Sequence, residues 1–265
     1  MKLRRATVPA AAKDHLAVAF PGPAAAGESI ALLSFASRGD MKFGLPACVP
    51  NRARFLCDVG IDPEYARAIE LSHTRNVIAP ERDDDIAALA RAAGGADGIL
   101  LDDPRLAAAV TVADCMPIWV LDRGSSSFGV LHSGWRGTGI LESAVDFLVR
   151  RRGAKPSSIA IVLGPAIGSC CYEVSQERAS EFAAEFGPAA AAHREGSWFL
   201  DLRSANLALA ERSGVGYVLS IDACTSCDER LGSFRRQGAA SFTRMMAVCG
   251  RSSLEPGFPE GGELQ

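Results

Sequence analysis

Histidine is scarce in this chain: four occur in 265 residues, at positions 15, 73, 132 and 193. Long apolar runs are missing altogether, and none approaches the roughly 18 residues of a membrane-spanning helix. An excess of one charge is missing too. With 28 Lys+Arg against 31 Asp+Glu, the formal net charge of −3 gives no global pull toward nucleic acid or an anionic membrane. Internal repeats and low-complexity blocks are absent. The eight cysteines are irregularly spaced in a chain far longer than small disulfide-stapled domains, which favours a reduced, cytoplasmic compartment. The basic, alanine-rich N-terminus does not complete the apolar stretch of a signal peptide, because Lys13, Asp14 and His15 interrupt it.

The composition is that of a soluble folded protein, 48% hydrophobic and 22% charged, long enough to bury a substantial core. Short apolar runs alternate with turn signals. Ile30 to Phe35, Phe128 to His132, Ile159 to Leu163, Trp198 to Leu202 and Tyr217 to Ile221 read as strands. Val110 to Leu121 reads as a buried strand broken at Asp114-Cys115 and at Pro117, and the proline implies an edge, a bulge or a bend. Helices are expected over Asp83 to Ala93, Gln176 to Phe186 and Arg203 to Arg212. A further helix comes after Thr138 as its cap, with stripes Ile140, Ala144, Leu148 and Leu141, Val145, Val149 on one broad face. This mixture, without strict strand–helix alternation, indicates an α+β domain of layered β-sheets flanked by helices. One domain over residues 1–250 is expected, with a poorly ordered tail over 251–265.

The few histidines make their positions informative. His132 ends a strand and opens the Gly-rich loop Ser133-Gly134-Trp135-Arg136-Gly137, while Cys115 lies in the adjacent strand candidate. If those strands pair, both side chains emerge at one end of a sheet. They then form a nucleophile–base pair, two metal ligands, or a buried structural cysteine beside a satisfied histidine.

Longer stretches carry a family resemblance. Thr111-Val112-Ala113-Asp114-Cys115-Met116-Pro117 is similar to a T-x-A-D-C-x-P motif, and His132 to Gly137 to H-x-G-W-R-G. Gly164-Pro165-Ala166-Ile167-Gly168, with Cys170-Cys171-Tyr172-Glu173-Val174 after it, is similar to G-P-x-I-G-x-C-C-Y-E-V. Cys227 and Ser233-Phe234-Arg235-Arg236 resemble a C…F-S-x-R-R element, with Arg244-Met245 a few residues later. Together these resemble the laccase-domain family, formerly called multicopper polyphenol oxidases and now regarded as purine nucleoside phosphorylases. The resemblance implies a fold like that of the necrotizing-factor deamidases, and a zinc ion held by Cys115, His132 and a third ligand, His73. The His73 segment departs from the family's Q-x-H-G-x-x-V, with Thr74 in place of the glycine. The family's S-x-R-G-G element is represented by Ser37-Arg38-Gly39-Asp40, with the second glycine replaced.

Two imidazoles and a thiolate leave a tetrahedral zinc one open position, the pattern of a catalytic site. The resemblance implies phosphorolysis of adenosine, inosine, guanosine or methylthioadenosine to base and ribose 1-phosphate, together with adenosine deamination. Asp114 is then an orienting or acid–base group, or else a turn residue. Phosphate, the co-substrate, needs a cation, expected to be Arg38, with Arg136 and Arg235 as further candidates. The partners implied are a purine nucleoside and phosphate, without nucleic acid or membrane, in a monomer or small homo-oligomer.

Other readings stand beside this one. A copper-dependent polyphenol oxidase needs many more histidines, in His-x-His pairs, for a trinuclear cluster. A single blue-copper site shares the His₂Cys ligands, but Met116 is not evidently placed as its axial ligand. A cysteine hydrolase with a Cys115/His132 pair and a non-catalytic metal-binding protein are the remaining alternatives. Cys224-Thr225-Ser226-Cys227 is read as a lone C-x-x-C without a second pair, in a loop. Arg150-Arg151-Arg152 is read as cations favouring a helix C-terminus, and His15 and His193 as surface residues.

Overall fold

The computed structural model of the chain describes residues 1–23 and 27–254. Two large sheets lie face to face. The first has seven strands in the order Lys2–Ala6, Tyr217–Ile221, Ile159–Leu163, Met116–Asp122, Phe128–Ser133, Gly98–Leu101 and Val77–Ile78. The second has five: His15–Val18, Ile30–Ser34, Met245–Gly250, Ala107–Val112 and Ala66–Ala68. Several of these strands are buried at every position because both of their faces are covered, and this is why they read as unbroken apolar runs.

Side-chain alternation distributes each strand between two cores. From Met116–Asp122, Trp119 and Leu121 enter the core between the sheets, against Val110, Ala247 and Leu33. Met116, Ile118 and Val120 face the other way. There they meet Ile140, Leu141, Ala144, Val145 and Leu148 of helix Ile140–Arg152, backed by helices Gln176–Phe186 and Leu202–Arg212. Helix Val49–Asp58 covers the outer face of the smaller sheet through Phe55 and Leu56. The result is an α+β arrangement in four layers, helix–sheet–sheet–helix. Trp119 ties the sheets together by donating its indole N–H to the Val248 carbonyl at 2.8 Å, which satisfies a polar atom that burial would otherwise orphan. A small three-stranded sheet, Glu173–Val174, Ser197–Leu200 and Ala191–Arg194, extends from one end.

Two local expectations change, for the run Val110 to Leu121 and for Thr138. The run Val110 to Leu121 is two strands in different sheets, with the chain crossing between them at Ala113–Cys115. Pro117 stands in a central strand, and of the edge, bulge or bend expected there the structure shows the bend, at Ala113–Cys115. It is only the second residue after the bend, and its carbonyl accepts from Gly164 N–H at 2.9 Å. Thr138 does not cap the helix: Gly139, at φ 111°, holds that position, and the Thr138 hydroxyl donates to the Gly134 carbonyl at 2.7 Å. Of the expected tail, Arg251 to Leu254 are placed, and Leu254 packs against the Val49–Asp58 side of the core; residues 255–265 lie outside the described residues.

Candidate active site

The crossing between the sheets creates the site. At Asp114 the backbone takes φ 80°, a conformation that non-glycine residues adopt only when their surroundings compel it. Cys115 comes next, at the entrance to the central strand. The neighbouring strand runs antiparallel, with Met116 opposite Ser133 and Pro117 opposite His132, so Cys115 and His132 share one sheet end. His73 arrives from the loop before Val77–Ile78, itself at φ 59°. The ligand atoms of His73, Cys115 and His132 all lie within 4.8 Å of one another, and the two imidazole rings meet edge to face at 5.1 Å. The structure thus brings together the three residues expected as metal ligands, and two imidazoles with one thiolate suit a mononuclear metal that keeps a free position.

A fourth residue organises this trio. Asp97, fully buried at the start of strand Gly98–Leu101, accepts from His132 Nδ1 at 3.0 Å and from the backbone N–H of His73 at 3.0 Å. Its other oxygen accepts from Ser72 N–H at 3.3 Å, Thr74 N–H at 2.6 Å and Thr74 Oγ1 at 2.9 Å. With Nδ1–H committed to Asp97, the His132 Nε2 lone pair is left for a metal. Burial works against the Asp97 carboxylate, but the bonds from His132 and Thr74 outweigh it and hold its pKa below the ordinary value of 3.8. Burial likewise opposes the charged form of His132. Interactions with Cys115 and Asp97 more than offset this in the metal-free protein, and its pKa is raised to about 10. His73 is shifted down, by burial first and by the charge of His132 second.

Gly134 is required at its position because a Cβ there would stand 2.6 Å from Cys115 Sγ. This gives the Gly-rich loop a steric role: it lets the backbone pass over the Cys115 sulfur.

The trio opens into a cavity of about 570 Å³. Its wall carries the rings of Phe43, Tyr172, Phe234 and Phe242 and the cations Lys42, Arg178, Arg235 and Arg244. Phe234 is 47% exposed despite its size and packs edge-on against Phe242 at 5.0 Å. Arg178 lies over the Trp135 ring at 4.3 Å, and no carboxylate pairs with it among the described residues. Arg244 pairs with Asp40 at 3.0 Å.

Of the remaining expected residues, Asp114 lines the cavity, but both of its carboxylate oxygens are engaged, by Thr225 Oγ1 at 2.6 Å and Arg235 N–H at 2.7 Å. Arg235 reaches the cavity edge while its guanidinium donates to the Glu173 carbonyl at 3.0 Å. Arg136 is exposed, beside the Trp135 ring, and outside the cavity lining. Arg38 is also outside the lining. It is clamped by Asp58 and by Asp14, the latter at 2.8 Å, so two carboxylates already neutralise it. Met116 is fully buried in the helix-side core, which accounts for the missing axial thioether.

Sequence reasoning missed Asp97 and Arg178. An acidic residue opening a wholly apolar strand, Asp97 before Gly98–Leu101, was the available signal for the first. Nothing local marks Arg178, which sits in the first turn of an ordinary amphipathic helix.

The chain is similar to several known proteins. The family described as multi-copper polyphenol oxidoreductase laccase matches residues 45–252. A purine nucleoside phosphorylase of Corynebacterium glutamicum is 30% identical over 194 residues, covering 72% of this chain and 77% of that protein. Purine nucleoside phosphorylase YlmD of Geobacillus stearothermophilus is 34% identical over 170 residues, covering 61% of this chain and 62% of that protein. A mouse purine nucleoside phosphorylase matches over only 35% of its own length. The crystal structure of YlmD from G. stearothermophilus superposes with a TM-score of 0.76 at 27% identity, covering 88% of this chain and 99% of that one.

Proposed function

The chain belongs to the multi-copper polyphenol oxidoreductase laccase family, and from its donor set and its similarity to named purine nucleoside phosphorylases we propose that it is a zinc-dependent purine nucleoside phosphorylase. The substrates proposed are adenosine, inosine, guanosine or methylthioadenosine, with phosphate as co-substrate, and adenosine deamination is a further activity of the same site. One observation carries this reading: a His73/Cys115/His132 donor set, an aromatic wall and several cations converge on one cavity.

The residues present fit a zinc ion. Their donor atoms are mutually within ligating reach, Asp97 fixes the His132 tautomer, and Gly134 makes room for the thiolate. When bound, zinc supplies a Lewis acid that activates water for deamination and polarises the substrate.

The chain's own groups account for the rest. A flat purine suits the exposed Phe234 ring and its partner Phe242, which offer stacking area without a polar group to satisfy. Phosphate suits Arg178, whose guanidinium has no competing carboxylate among the described residues and can bind two oxygens at once. In phosphorolysis a phosphate oxygen bonds to the anomeric carbon as the glycosidic bond breaks. Electrons pass to the base, which takes up a proton. A fixed cation that holds phosphate in line lowers the barrier mainly by positioning. Burial raises the Tyr172 phenol well above its ordinary range, so it stays neutral and offers the cavity a hydrogen-bond donor rather than a readily released proton. Asp114, with both oxygens engaged, locks the crossing that carries Cys115 and anchors the Arg235 backbone at the cavity edge.

Purified protein incubated with adenosine, with and without phosphate, tests the proposal by mass spectrometry of the products. Adenine and ribose 1-phosphate should form only with phosphate, and inosine in either case. Equal adenine release without phosphate would make the protein a hydrolase, and no turnover at all would leave a metal-binding protein.

A second reading has its own support. Cys115, His132 and Asp97 stand in the order of a nucleophile, base and orienting carboxylate, so a cysteine hydrolase remains chemically coherent. It predicts an activity that alkylation abolishes and chelation spares. The presence of His73 within the same 4.8 Å favours the metal.

A further inference from the structure

A second group of four potential ligands lies apart from the cavity. The lone C-x-x-C of the sequence, Cys224 and Cys227, is met by Cys170 and Cys171 from the loop after strand Ile159–Leu163. All four Sγ atoms lie within 4.8 Å of one another, and none is in a disulfide. A bridge at Ala166–Cys224 brings the two loops together, with Thr225 N–H donating to the Ala166 carbonyl at 3.1 Å.

The distances discriminate among occupants. Cys227 Sγ stands 3.7 Å from Cys170 Sγ and 3.5 Å from Cys171 Sγ. A disulfide requires about 2.05 Å. Four thiolates around one zinc at about 2.3 Å form a tetrahedron whose edges are about 3.8 Å. The two separations from Cys227 are close to that edge, and the 4.8 Å limit on the remaining pairs is compatible with it. Gly168 N–H donates to Cys224 Sγ at 3.2 Å, supplying the kind of backbone bond that supports a thiolate ligand. The Cys227 N–H closes the turn onto the Cys224 carbonyl at 3.1 Å, which brings both ends of the C-x-x-C to one side.

We propose that Cys170, Cys171, Cys224 and Cys227 bind a second, structural zinc ion that clips the loop after strand Ile159–Leu163 to the loop after strand Tyr217–Ile221. Both loops support the cavity. The first leads from Cys171 into Tyr172, and the second presents Thr225 to Asp114 at 2.6 Å. Four thiolates leave no open position, so this ion has no catalytic role. The proposal does not depend on the nucleoside phosphorylase reading.

The test uses the full chain, prepared under reducing conditions with zinc supplied, and compares wild type with a His73→Ala/His132→Ala double variant and a Cys224→Ser/Cys227→Ser double variant. Elemental analysis should find two zinc ions per chain in the wild type and one in each variant. Cobalt exchanged into the histidine variant should give the intense thiolate charge-transfer absorption of a four-sulfur site. The histidine variant keeps all four cysteines, so its result decides the matter even if the cysteine variant does not fold. A folded histidine variant without metal would overturn the proposal, as would an intact mass four hydrogens lighter with the cysteines oxidised to two disulfides. Iron in place of zinc, with its visible colour, would overturn the identity of the metal.

Discussion

Replacing Asp97 with asparagine tests the organisation of the site most directly. The change is nearly isosteric and removes one charge from a fully buried carboxylate that accepts five hydrogen bonds. Asparagine has two orientations there, and both fail. If its carbonyl faces His132, its NH₂ confronts the donors of Ser72 and Thr74. If it flips, its NH₂ faces the His73 N–H and forces His132 to accept at Nδ1, which moves the imidazole proton onto Nε2 and removes the metal ligand. Hydrogen bonds to a charged group contribute about 1.5–3 kcal/mol each, and breaking a buried ionic arrangement typically costs about 3–5 kcal/mol. A loss of about 3 kcal/mol or more is therefore expected, lowering Tm by roughly 6–12 °C in a chain of this size. Zinc affinity should fall about 10- to 100-fold.

The shifts set the pH dependence. The depressed Asp97 pKa contributes stability that is fully present above 3.8 and is lost as the pH falls through the lower folded-state value. The raised His132 pKa contributes stability fully present below 6.5 and lost as the pH rises through about 10 in the metal-free protein. The wild type and Asp97→Asn should thus differ most between these limits, from about pH 4 to 6.5, and converge toward strong acid. Urea unfolding of the metal-free proteins across pH, with zinc competition against a chromophoric chelator, measures both effects. Stability within about 0.5 kcal/mol of wild type and zinc affinity within about twofold would refute the reasoning.

Two further outcomes concern residues at and beside the cavity. Arg178→Ala should cut kcat/KM for phosphate by roughly 10²-fold while zinc content holds, whereas Arg38→Ala should leave phosphate kinetics near wild type and lower Tm by releasing Asp14 and Asp58; steady-state kinetics of both variants at limiting phosphate decide between the two arginines. Gly134→Ala places a methyl 2.6 Å from Cys115 Sγ, so the His73/Cys115/His132 metal should be lost with far-ultraviolet circular dichroism unchanged, and full retention of that metal would contradict the close approach.

The layered α+β class and most strands were legible because continuous apolar runs and helical stripes survive in the sequence wherever a face is covered. The pairing of Cys115 with His132 was legible because the two strands are adjacent and joined by a short turn. Three kinds of feature were not. The sheet change at Ala113–Cys115 leaves a run that looks like one interrupted strand, and only the tertiary arrangement shows that its halves belong to different layers. Arg38 and Arg178 are told apart by their partners, two carboxylates for one and an indole ring for the other, and such partners lie far away in the chain. The second cysteine pair was in plain view, but as part of a family motif it was not connected to a C-x-x-C more than fifty residues later.

Copper appears in the family's description, and the ligand inventory bears on it. Among the described residues the histidine- and cysteine-rich groups are two: His73/Cys115/His132 and the four cysteines. A trinuclear copper cluster requires many imidazoles on neighbouring strands, and His15 and His193 are elsewhere, one beside Asp14 and the other over Trp198. A blue-copper centre commonly carries a long axial thioether contact, which the buried Met116 does not offer. One borderline site with a free position and one all-thiolate site are both coordination environments that suit zinc. Elemental analysis that finds zinc and no copper in the His73/Cys115/His132 group would therefore exclude the oxidase, and turnover of a nucleoside with phosphate then separates the phosphorylase from a metal-binding protein.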